Sequence, residues 1–277
     1  MTAIDFEAEY NNRARVPESG EIIAAWARDA AAYRAARAGH MRTLRYGSGE
    51  RHGLDLFAAD VDGGAIVVFI HGGYWQALDR SFFSHMARGL NARGVTVAVP
   101  SYDLCPQVGV ADIITQMRAA VRELARLGRP LVVSGHSAGG QLAACLLATD
   151  WTTVDPGLPA DLITSAYAIS GVFDLGPLVG TSLNGALRLD AEGARAVSPR
   201  HWTPPRRGIL DAAVGGAESD EFLRQSRDMA EVWGAAGIAT RFEPVPGANH
   251  FTVIAPLADP DSGMTARLAT LAAHAGR

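Results

Sequence analysis

Five residues, Gly135-His136-Ser137-Ala138-Gly139, constrain the fold of this chain more than any other feature of its sequence. They stand between an apolar run, Leu131–Val133, and an Ala-rich stretch, Ala138–Ala148, which predicts a strand followed at once by a helix. A serine on so sharp a turn needs a strained backbone and small neighbours, because a Cβ on either flank would collide with the strand or the helix. The pattern predicts Ser137 as a nucleophile at the positive end of a helix.

Short apolar runs and Ala-rich amphipathic stretches alternate along the rest of the 277 residues. This alternation predicts one α/β domain over residues 1–277, with a mostly parallel eight-stranded sheet and helices on both faces. Four prolines make residues 172–207 irregular, and we expect a short cap-like insertion there, near the active site. The predicted strands are Arg42–Tyr46, Leu54–Phe57, Ala65–Ile70, Val95–Val99, Leu131–Val133, Ile163–Ile169, Ile209–Val214 and Thr240–Val245. The predicted helices are Glu21–Ala38, Ser81–Arg93, Ala111–Leu127, Ala138–Ala148, Glu221–Ala236 and Met264–Ala273.

Charge and composition limit the partners that this chain can have. A formal net charge of −4 without blocks of like charge gives no reason to expect a nucleic acid or a membrane as partner, so a small-molecule substrate is expected. Met1–Glu21 lacks a basic segment followed by an apolar run, and no window approaches about 18 apolar residues, so we expect a cytoplasmic protein. Cys105 and Cys145 fit neither a disulfide framework nor a zinc spacing, and we expect no metal and no cofactor. A homodimer is compatible with the sequence.

A second motif, His71-Gly72-Gly73-Tyr74-Trp75, directly follows the predicted strand Ala65–Ile70. Alone it would be an ordinary turn. Together with Ser137 it occupies the position of the oxyanion loop in the α/β-hydrolase fold. The expected oxyanion hole comprises Gly72, Gly73 and Tyr74 of this loop with Ala138, whose backbone N–H follows the nucleophile. Tyr102-Asp103, after the next strand, either braces the loop or caps a turn.

In this fold the nucleophile is followed along the chain by an acid and then a histidine. His250 comes after the last predicted strand and qualifies as the general base. The acid should follow Ile209–Val214, and position leaves Glu218 and Asp220 open. Gly215, Gly216 and Ala217 predict a tight turn that directs the first carboxylate after it, Glu218, toward Ser137 and His250. The alternative is that Glu218 only caps the next helix and Asp220 is the acid. Either carboxylate could orient the imidazole and stabilise its charged form.

These residues resemble the arylformamidases, also called kynurenine formamidases, of the esterase and lipase branch of the α/β-hydrolases. HGGYW is the discriminating piece, since the wider branch more often has HGGG or HGGA. The family usually places an Asp where this sequence has Glu218, four residues before Phe222, so the resemblance favours Glu218 over Asp220 despite the extra methylene. The resemblance covers His71–Gln76, Tyr102-Asp103 with Pro106, Gly135–Gly139, Ser170–Leu175, Ser198-Pro199, Glu221-Phe222 with Arg224–Ser226, and His250-Phe251.

The resemblance implies a serine hydrolase that cleaves N-formyl-L-kynurenine, or a related aryl formamide, to the amine and formate, a step of tryptophan catabolism. The proposed triad is Ser137, Glu218 and His250. Tyr74 and Trp75 are expected to line the substrate pocket. Because the same triad also cleaves esters, a carboxylesterase for short or small aromatic esters is the alternative. A ligand-binding relative without catalysis is a minor alternative, since neither the serine, the histidine nor the glycines are missing.

Overall fold

The computed structural model describes residues 4–61 and 64–275, and its elements alternate as the sequence pattern indicates. The strands are β1 Met41–Arg45, β2 Gly53–Phe57, β3 Ile66–Ile70, β4 Thr96–Pro100, β5 Leu131–His136, β6 Ile163–Ile169, β7 Ile209–Gly215 and β8 Ala239–Val245. The α-helices are α1 Phe6–Tyr10, α2 Asn12–Arg15, α3 Ser19–Ala36, α4 Arg88–Ala92, α5 Val110–Ala125, α6 Ala138–Leu147, α7 Asn184–Leu187, α8 Ala191–Ala196, α9 Asp220–Ala235 and α10 Gly263–Ala275.

The eight strands form one sheet in the order β1-β2-β4-β3-β5-β6-β7-β8. Strands β4, β3, β5, β6, β7 and β8 pair in parallel, and β2 pairs antiparallel with both of its neighbours. The predicted fold class, a mostly parallel eight-stranded sheet of the α/β-hydrolase type, is confirmed. Parallel strands end at the same edge of a sheet, so the turns after β3, β5, β6, β7 and β8 all meet at one edge.

Each face of the sheet carries its own apolar core, because successive side chains of a strand point to opposite sides. In β3, Ile66, Val68 and Ile70 face the core that α5, α6 and α9 cover. Val67 and Phe69 face the core that α3, α4 and α10 cover. Burial on both faces explains why the central strands are continuous apolar runs rather than alternating ones.

One predicted helix, Ser81–Arg93, is wrong. This stretch folds into two short 3-10 helices, Arg80–Phe82 and Ser84–Ala87, followed by the five-residue α4. All four residues of Ser84–Ala87 are buried, since this turn packs against α3. An amphipathic helix needs one solvent-facing side, which a segment enclosed all round does not have. The other predicted strands and helices lie within three residues of their expected bounds.

Two segments outside the sheet lie near its carboxyl-terminal edge. Residues 5–16, which contain α1 and α2 and to which the sequence analysis assigned no element, are called the N-terminal arm. Residues 172–207 contain α7, α8 and two 3-10 helices, Gly176–Gly180 and Pro199–His201. Helix α1 packs against the first of these 3-10 helices and against α9. In the described ranges, no helix combines the length and the apolarity that a membrane span requires.

Candidate active site

Ser137 occupies a strained turn between β5 and α6. Its φ of 57° and ψ of −118° lie outside the regions that non-glycine residues favour. Its backbone N–H donates to the carbonyl of Ile169 at 2.8 Å. A Cβ on Gly135 would collide with the carbonyl of Gly139, and a Cβ on Gly139 would collide with that of Ile70. The two glycines of the motif are therefore what allows the chain to turn here and present the serine at the N-terminus of α6.

The loop after β3 lies directly beside this serine. A Cβ on Gly72 would lie 2.9 Å from the Cβ of Ser137, so loop and serine are in contact. Gly73 and Tyr74 have positive φ angles of 112° and 49°. Across residues 4–61 and 64–275, the backbone N–H groups of Gly73, Tyr74 and Ala138 donate to no backbone carbonyl. Uncommitted N–H groups around a nucleophile are what an oxyanion hole requires, and the predicted set remains our proposal for it.

His71, the first residue of the loop, and Tyr102 stabilise the conformation of the loop. The His71 ring stacks between Tyr102 and Phe83, with centroids 4.3 and 5.7 Å away. The Tyr102 hydroxyl donates to the His71 carbonyl at 2.9 Å, so Tyr102 braces the loop. Asp103 instead lies 2.8 Å from the ring of His52. Burial lowers the pKa of His71 to about 4, and the ring is neutral at neutral pH.

His250 and Glu218 meet where β8 and β7 end. His250 Nδ1 donates to Glu218 Oε2 at 2.6 Å, which leaves Nε2 as the proton acceptor. Glu218 Oε1 accepts hydrogen bonds from Ser170 Oγ at 2.5 Å and from the Gly215 N–H at 2.7 Å. The Glu218 side chain is fully buried, whereas Asp220 is exposed in the first turn of α9. Of the two carboxylates that position left open, Glu218 is the one that contacts the histidine.

Ser137 and His250 line the same cavity. Within the described ranges, no hydrogen bond joins Ser137 Oγ to the imidazole, whose Nδ1 is bound to Glu218. In unliganded enzymes the hydrogen bond between nucleophile and base is often absent or long, and it forms when the substrate binds. The structure thus brings the three predicted triad residues to one edge of the sheet with the acid–histidine contact formed.

His136 and Ser170 hold His250 and Glu218 in place. Neither was among the predicted site residues. His136 Nε2 donates to the backbone carbonyl of His250 at 2.8 Å. Burial and the neighbouring His250 keep the pKa of His136 well below its ordinary value, so the ring stays neutral. Ser170, with a φ of 51°, directs its hydroxyl to Glu218. Both residues stand at strand ends on the carboxyl-terminal edge of the sheet, His136 at the end of β5 and Ser170 directly after β6. This position is the signal that could have identified them.

The cavity has a volume of about 380 Å³. Among the described residues, no group of three or more His, Cys, Asp or Glu side chains is placed to hold a metal ion, in this cavity or elsewhere. Residues 172–207 contribute three lining residues, Thr181, Ser182 and Leu183, and the N-terminal arm contributes five, Glu7, Tyr10, Asn11, Asn12 and Arg13. The arm therefore supplies more of the lining than the insertion that the sequence analysis expected near the site.

Tyr74 and Trp75, both predicted to bind substrate, point in different directions. The Tyr74 side chain lines the cavity, and its hydroxyl donates to the Tyr10 carbonyl at 2.7 Å and accepts from Asn12 Nδ2 at 3.1 Å. The prediction for Trp75 is wrong. Its side chain is fully buried in the core, where the indole N–H donates to Gln141 Oε1 at 3.3 Å. Trp75 has a positive φ of 57°, and its ring packs in the core and does not line the cavity.

Comparison with known proteins relates this geometry to one family. The family model described as "Alpha/beta hydrolase family" matches residues 67–276. A kynurenine formamidase of Salmo salar is 33% identical over 79% of this chain and 78% of its own length. The kynurenine formamidase of Drosophila melanogaster is 32% identical over 80% and 78%. A solved structure from Silicibacter sp. TM1040, provisionally assigned as a thioesterase, aligns with a TM-score of 0.85 and 37% identity over 95% of this chain and 98% of that one. An arylesterase structure, 19% identical over 86% and 85% with a TM-score of 0.66, shares the fold.

Proposed function

The chain is an α/β-hydrolase of the kynurenine formamidase family, and on that premise we propose that it hydrolyses N-formyl-L-kynurenine, or a closely related aryl formamide, to the free arylamine and formate. The observation that carries the proposal is the buried hydrogen bond between Glu218 and His250 at the edge of the cavity that contains Ser137. Each residue has the type and the place that acyl transfer through a serine requires.

In the first half of the reaction, Ser137 Oγ attacks the formyl carbon while His250 Nε2 takes the hydroxyl proton. Glu218 keeps the proton on Nδ1, so the acceptor nitrogen faces the serine, and it stabilises the imidazolium that forms. The negative charge that develops on the formyl oxygen is stabilised by the backbone N–H groups of Gly73, Tyr74 and Ala138. Collapse of the tetrahedral intermediate breaks the C–N bond as His250 protonates the arylamine nitrogen.

In the second half, water hydrolyses the formyl ester of Ser137. His250 is neutral again after protonating the amine. It takes a proton from a water molecule while the water oxygen attacks the formyl carbon. The same N–H groups stabilise the second oxyanion. As this intermediate collapses, the proton on His250 returns to Ser137 Oγ and the product leaves as formic acid, which ionises to formate. The proton, the nucleophile and the oxyanion are all handled by groups of this chain, so the scheme routes no step through a metal or an organic cofactor.

The alternative activity is hydrolysis of short or aromatic esters, which the same residues would perform. The kynurenine formamidase relatives support the formamide over the ester, because they are about one-third identical over most of their length. The relative named isoprenylcysteine alpha-carbonyl methylesterase, from Arabidopsis thaliana, matches only 50% of this chain at 27% identity. We therefore place the formamide first.

Turnover of N-formyl-L-kynurenine beside p-nitrophenyl acetate and p-nitrophenyl butyrate tests this choice. We expect the formamide to have the higher kcat/KM, with release of kynurenine followed by its absorbance. A preparation that cleaves the esters and leaves N-formyl-L-kynurenine intact would replace the formamidase by a carboxylesterase.

A cytoplasmic location and a homodimer are also proposed. Cys105 and Cys145 are both buried free thiols, which supports a reducing compartment. Fractionation of cells would test the location, and light scattering on the purified protein would test the dimer.

A further inference from the structure

The N-terminal arm is fastened to the rest of the protein by buried polar contacts. The Tyr10 hydroxyl donates to Glu221 Oε2 at 3.0 Å and accepts from Gln225 Nε2 at 2.7 Å. The Glu9 carboxylate accepts from the backbone N–H of Glu221 at 3.0 Å. Tyr10 itself is only 1% exposed. A chain terminus tied down in this way is ordered, so the arm's side chains have defined places relative to the cavity.

Two charged side chains of the arm, Glu7 and Arg13, line the cavity that contains Ser137. Both Glu7 carboxylate oxygens accept hydrogen bonds from Ser182, one from the backbone N–H and one from the hydroxyl, each at 2.7 Å. These bonds lower the pKa of Glu7, which is negatively charged at neutral pH. Arg13 forms no ion pair with any residue that the structure describes, whereas Arg15 on the same helix lies 3.8 Å from Glu9. Among the described residues that line the cavity, Arg13 is thus the one permanent cation, and within that part of the chain it has no ion-pair partner.

We propose that Glu7 and Arg13 form a subsite for the α-amino acid group of the substrate, with Arg13 pairing with the α-carboxylate and Glu7 with the α-ammonium. The inference rests on the proposed function, because N-formylkynurenine carries such a group beside its aryl formamide. The arm then holds the end of the substrate that does not react, while the sheet edge acts on the formamide.

The chemistry of the two groups matches a zwitterion better than any other class of ligand. A guanidinium presents paired N–H donors that fit a carboxylate, and its charge does not depend on pH. A neutral substrate would engage neither charge, and a simple anion would meet Glu7 as a like charge. The cavity, at about 380 Å³, also falls within the range of about 300 to 1,000 Å³ that suits a small organic ligand.

Calorimetric titration with two ligands tests Arg13 without relying on any enzymatic activity. The ligands are L-kynurenine and 2-aminoacetophenone, which has the same aryl ketone without the amino acid. We expect Arg13→Gln to raise the Kd for kynurenine about 10- to 100-fold, the loss expected for one charged hydrogen-bonded contact. The Kd for 2-aminoacetophenone should stay within about twofold of the wild-type value, because that ligand has no group for Arg13.

Arg15→Gln is the matched control. It removes the same charge from the same short helix, α2, and disrupts only the partly exposed pair with Glu9. If loss of positive charge near the cavity were sufficient, this variant would weaken kynurenine as much as Arg13→Gln does. We expect it to leave both dissociation constants unchanged.

Glu7→Gln tests the other half of the subsite. The ligand pair here is kynurenine and 4-(2-aminophenyl)-4-oxobutanoate, which keeps the carboxylate and lacks the α-amino group. The variant should weaken kynurenine about tenfold and spare the analogue.

The subsite is overturned if wild-type protein does not bind kynurenine, or if Arg13→Gln weakens kynurenine and 2-aminoacetophenone by the same factor or neither. The formamidase assignment fails by a different result, the absence of N-formylkynurenine turnover. The two failures are therefore seen in separate measurements.

Discussion

The carboxyl-terminal edge of the sheet and the N-terminal arm both face the cavity, but they are held in place differently. At the edge, Ser137, Glu218 and His250 each follow a strand within a few residues, so the sheet itself fixes their spacing. The arm is held by side-chain contacts that cross 175 residues of sequence to Ser182 and 211 to Glu221. The difference fits the two roles that we propose, bond making at the edge and recognition of the rest of the substrate by the arm.

Replacing the proposed nucleophile gives the largest effect that this comparison predicts. Ser137→Ala should lower kcat by about 10⁶ for formamide and ester substrates alike, because every substrate needs the same attacking oxygen. The lost hydroxyl is too small to affect packing, and the circular dichroism spectrum should match that of the wild type. A fluorophosphonate should label the wild-type protein once and the variant not at all, whereas a variant with a few percent of wild-type activity would rule Ser137 out.

The second prediction separates the two carboxylates after β7. Glu218→Gln keeps the size of the side chain and removes the charge that stabilises the His250 imidazolium, so kcat at neutral pH should fall by up to about 10⁴. Asp220→Asn is the control, since Asp220 is exposed in the first turn of α9 and should change kcat little. The reverse pattern, with Asp220→Asn the damaging change, would remove Glu218 from the triad.

Much of the candidate site at the edge could be predicted from sequence, because the residues that determine it are close together in the chain. The turn at Ser137 is encoded in five consecutive residues and their flanking strand and helix. The acid was harder to predict from the residues themselves, because the direction of the turn after β7 depends on a neighbouring strand. Gly216 N–H donates to Val245 O at 2.7 Å, and Ala217 N–H donates to Ala248 O at 2.9 Å. These contacts turn Glu218 toward His250, the outcome that both the predicted tight turn after the strand and the resemblance to the family favoured.

The arm could not be predicted in the same way. Its sequence has no apolar periodicity, and the partners of Glu7 and Tyr10 lie in distant parts of the chain. A motif also says little about which way its side chains turn, so HGGYW identified the loop but not the burial of Trp75. Recognition elements built from long-range polar contacts are therefore what sequence reasoning misses here.

At the edge, the buried His71 should make the stability of the protein depend on pH. The arm, residues 5–16, contains no histidine. His71 is fully buried, and its pKa is lowered from 6.5 to about 4 by loss of hydration. The unfolded chain binds the proton near pH 6.5 and the folded protein does not, so stability falls as the pH drops from 6.5 toward 4 and levels off below. Between pH 7 and pH 5 this one group should lower the free energy of unfolding by about 2 kcal/mol.

Urea unfolding at several pH values measures this dependence. His71→Phe keeps an aromatic ring between Tyr102 and Phe83 and removes the titrating group, so its stability should fall less steeply toward pH 5. His274→Asn, at an exposed position in α10, should keep the wild-type slope. An unchanged slope in His71→Phe would show that His71 is protonated alike in the folded and unfolded states.

The smallest effect on activity is expected at the contact between the sheet edge and the N-terminal arm. The Tyr74 hydroxyl joins the oxyanion loop to the arm through the Tyr10 carbonyl and Asn12 Nδ2. Tyr74→Phe removes both bonds and keeps the ring, so the loop should lose part of its positioning and kcat/KM should fall by up to about tenfold. In the proposed oxyanion hole the backbone N–H of Tyr74 would serve every substrate. We therefore expect the loss mainly in kcat, and for p-nitrophenyl acetate as well as N-formylkynurenine.

Tyr46→Phe distinguishes this effect from a general loss of stability. The Tyr46 hydroxyl donates to the Ser101 carbonyl at 2.5 Å, a buried bond of the same kind that lies outside the cavity. Each variant should lose about 1 kcal/mol of stability, yet only Tyr74→Phe should lose activity at temperatures well below unfolding. If Tyr74→Phe lowered kcat/KM for N-formylkynurenine alone, Tyr74 would belong with the arm in substrate recognition. Equal activity of the two variants would mean that the arm does not position the oxyanion loop, and that the edge and the arm act independently.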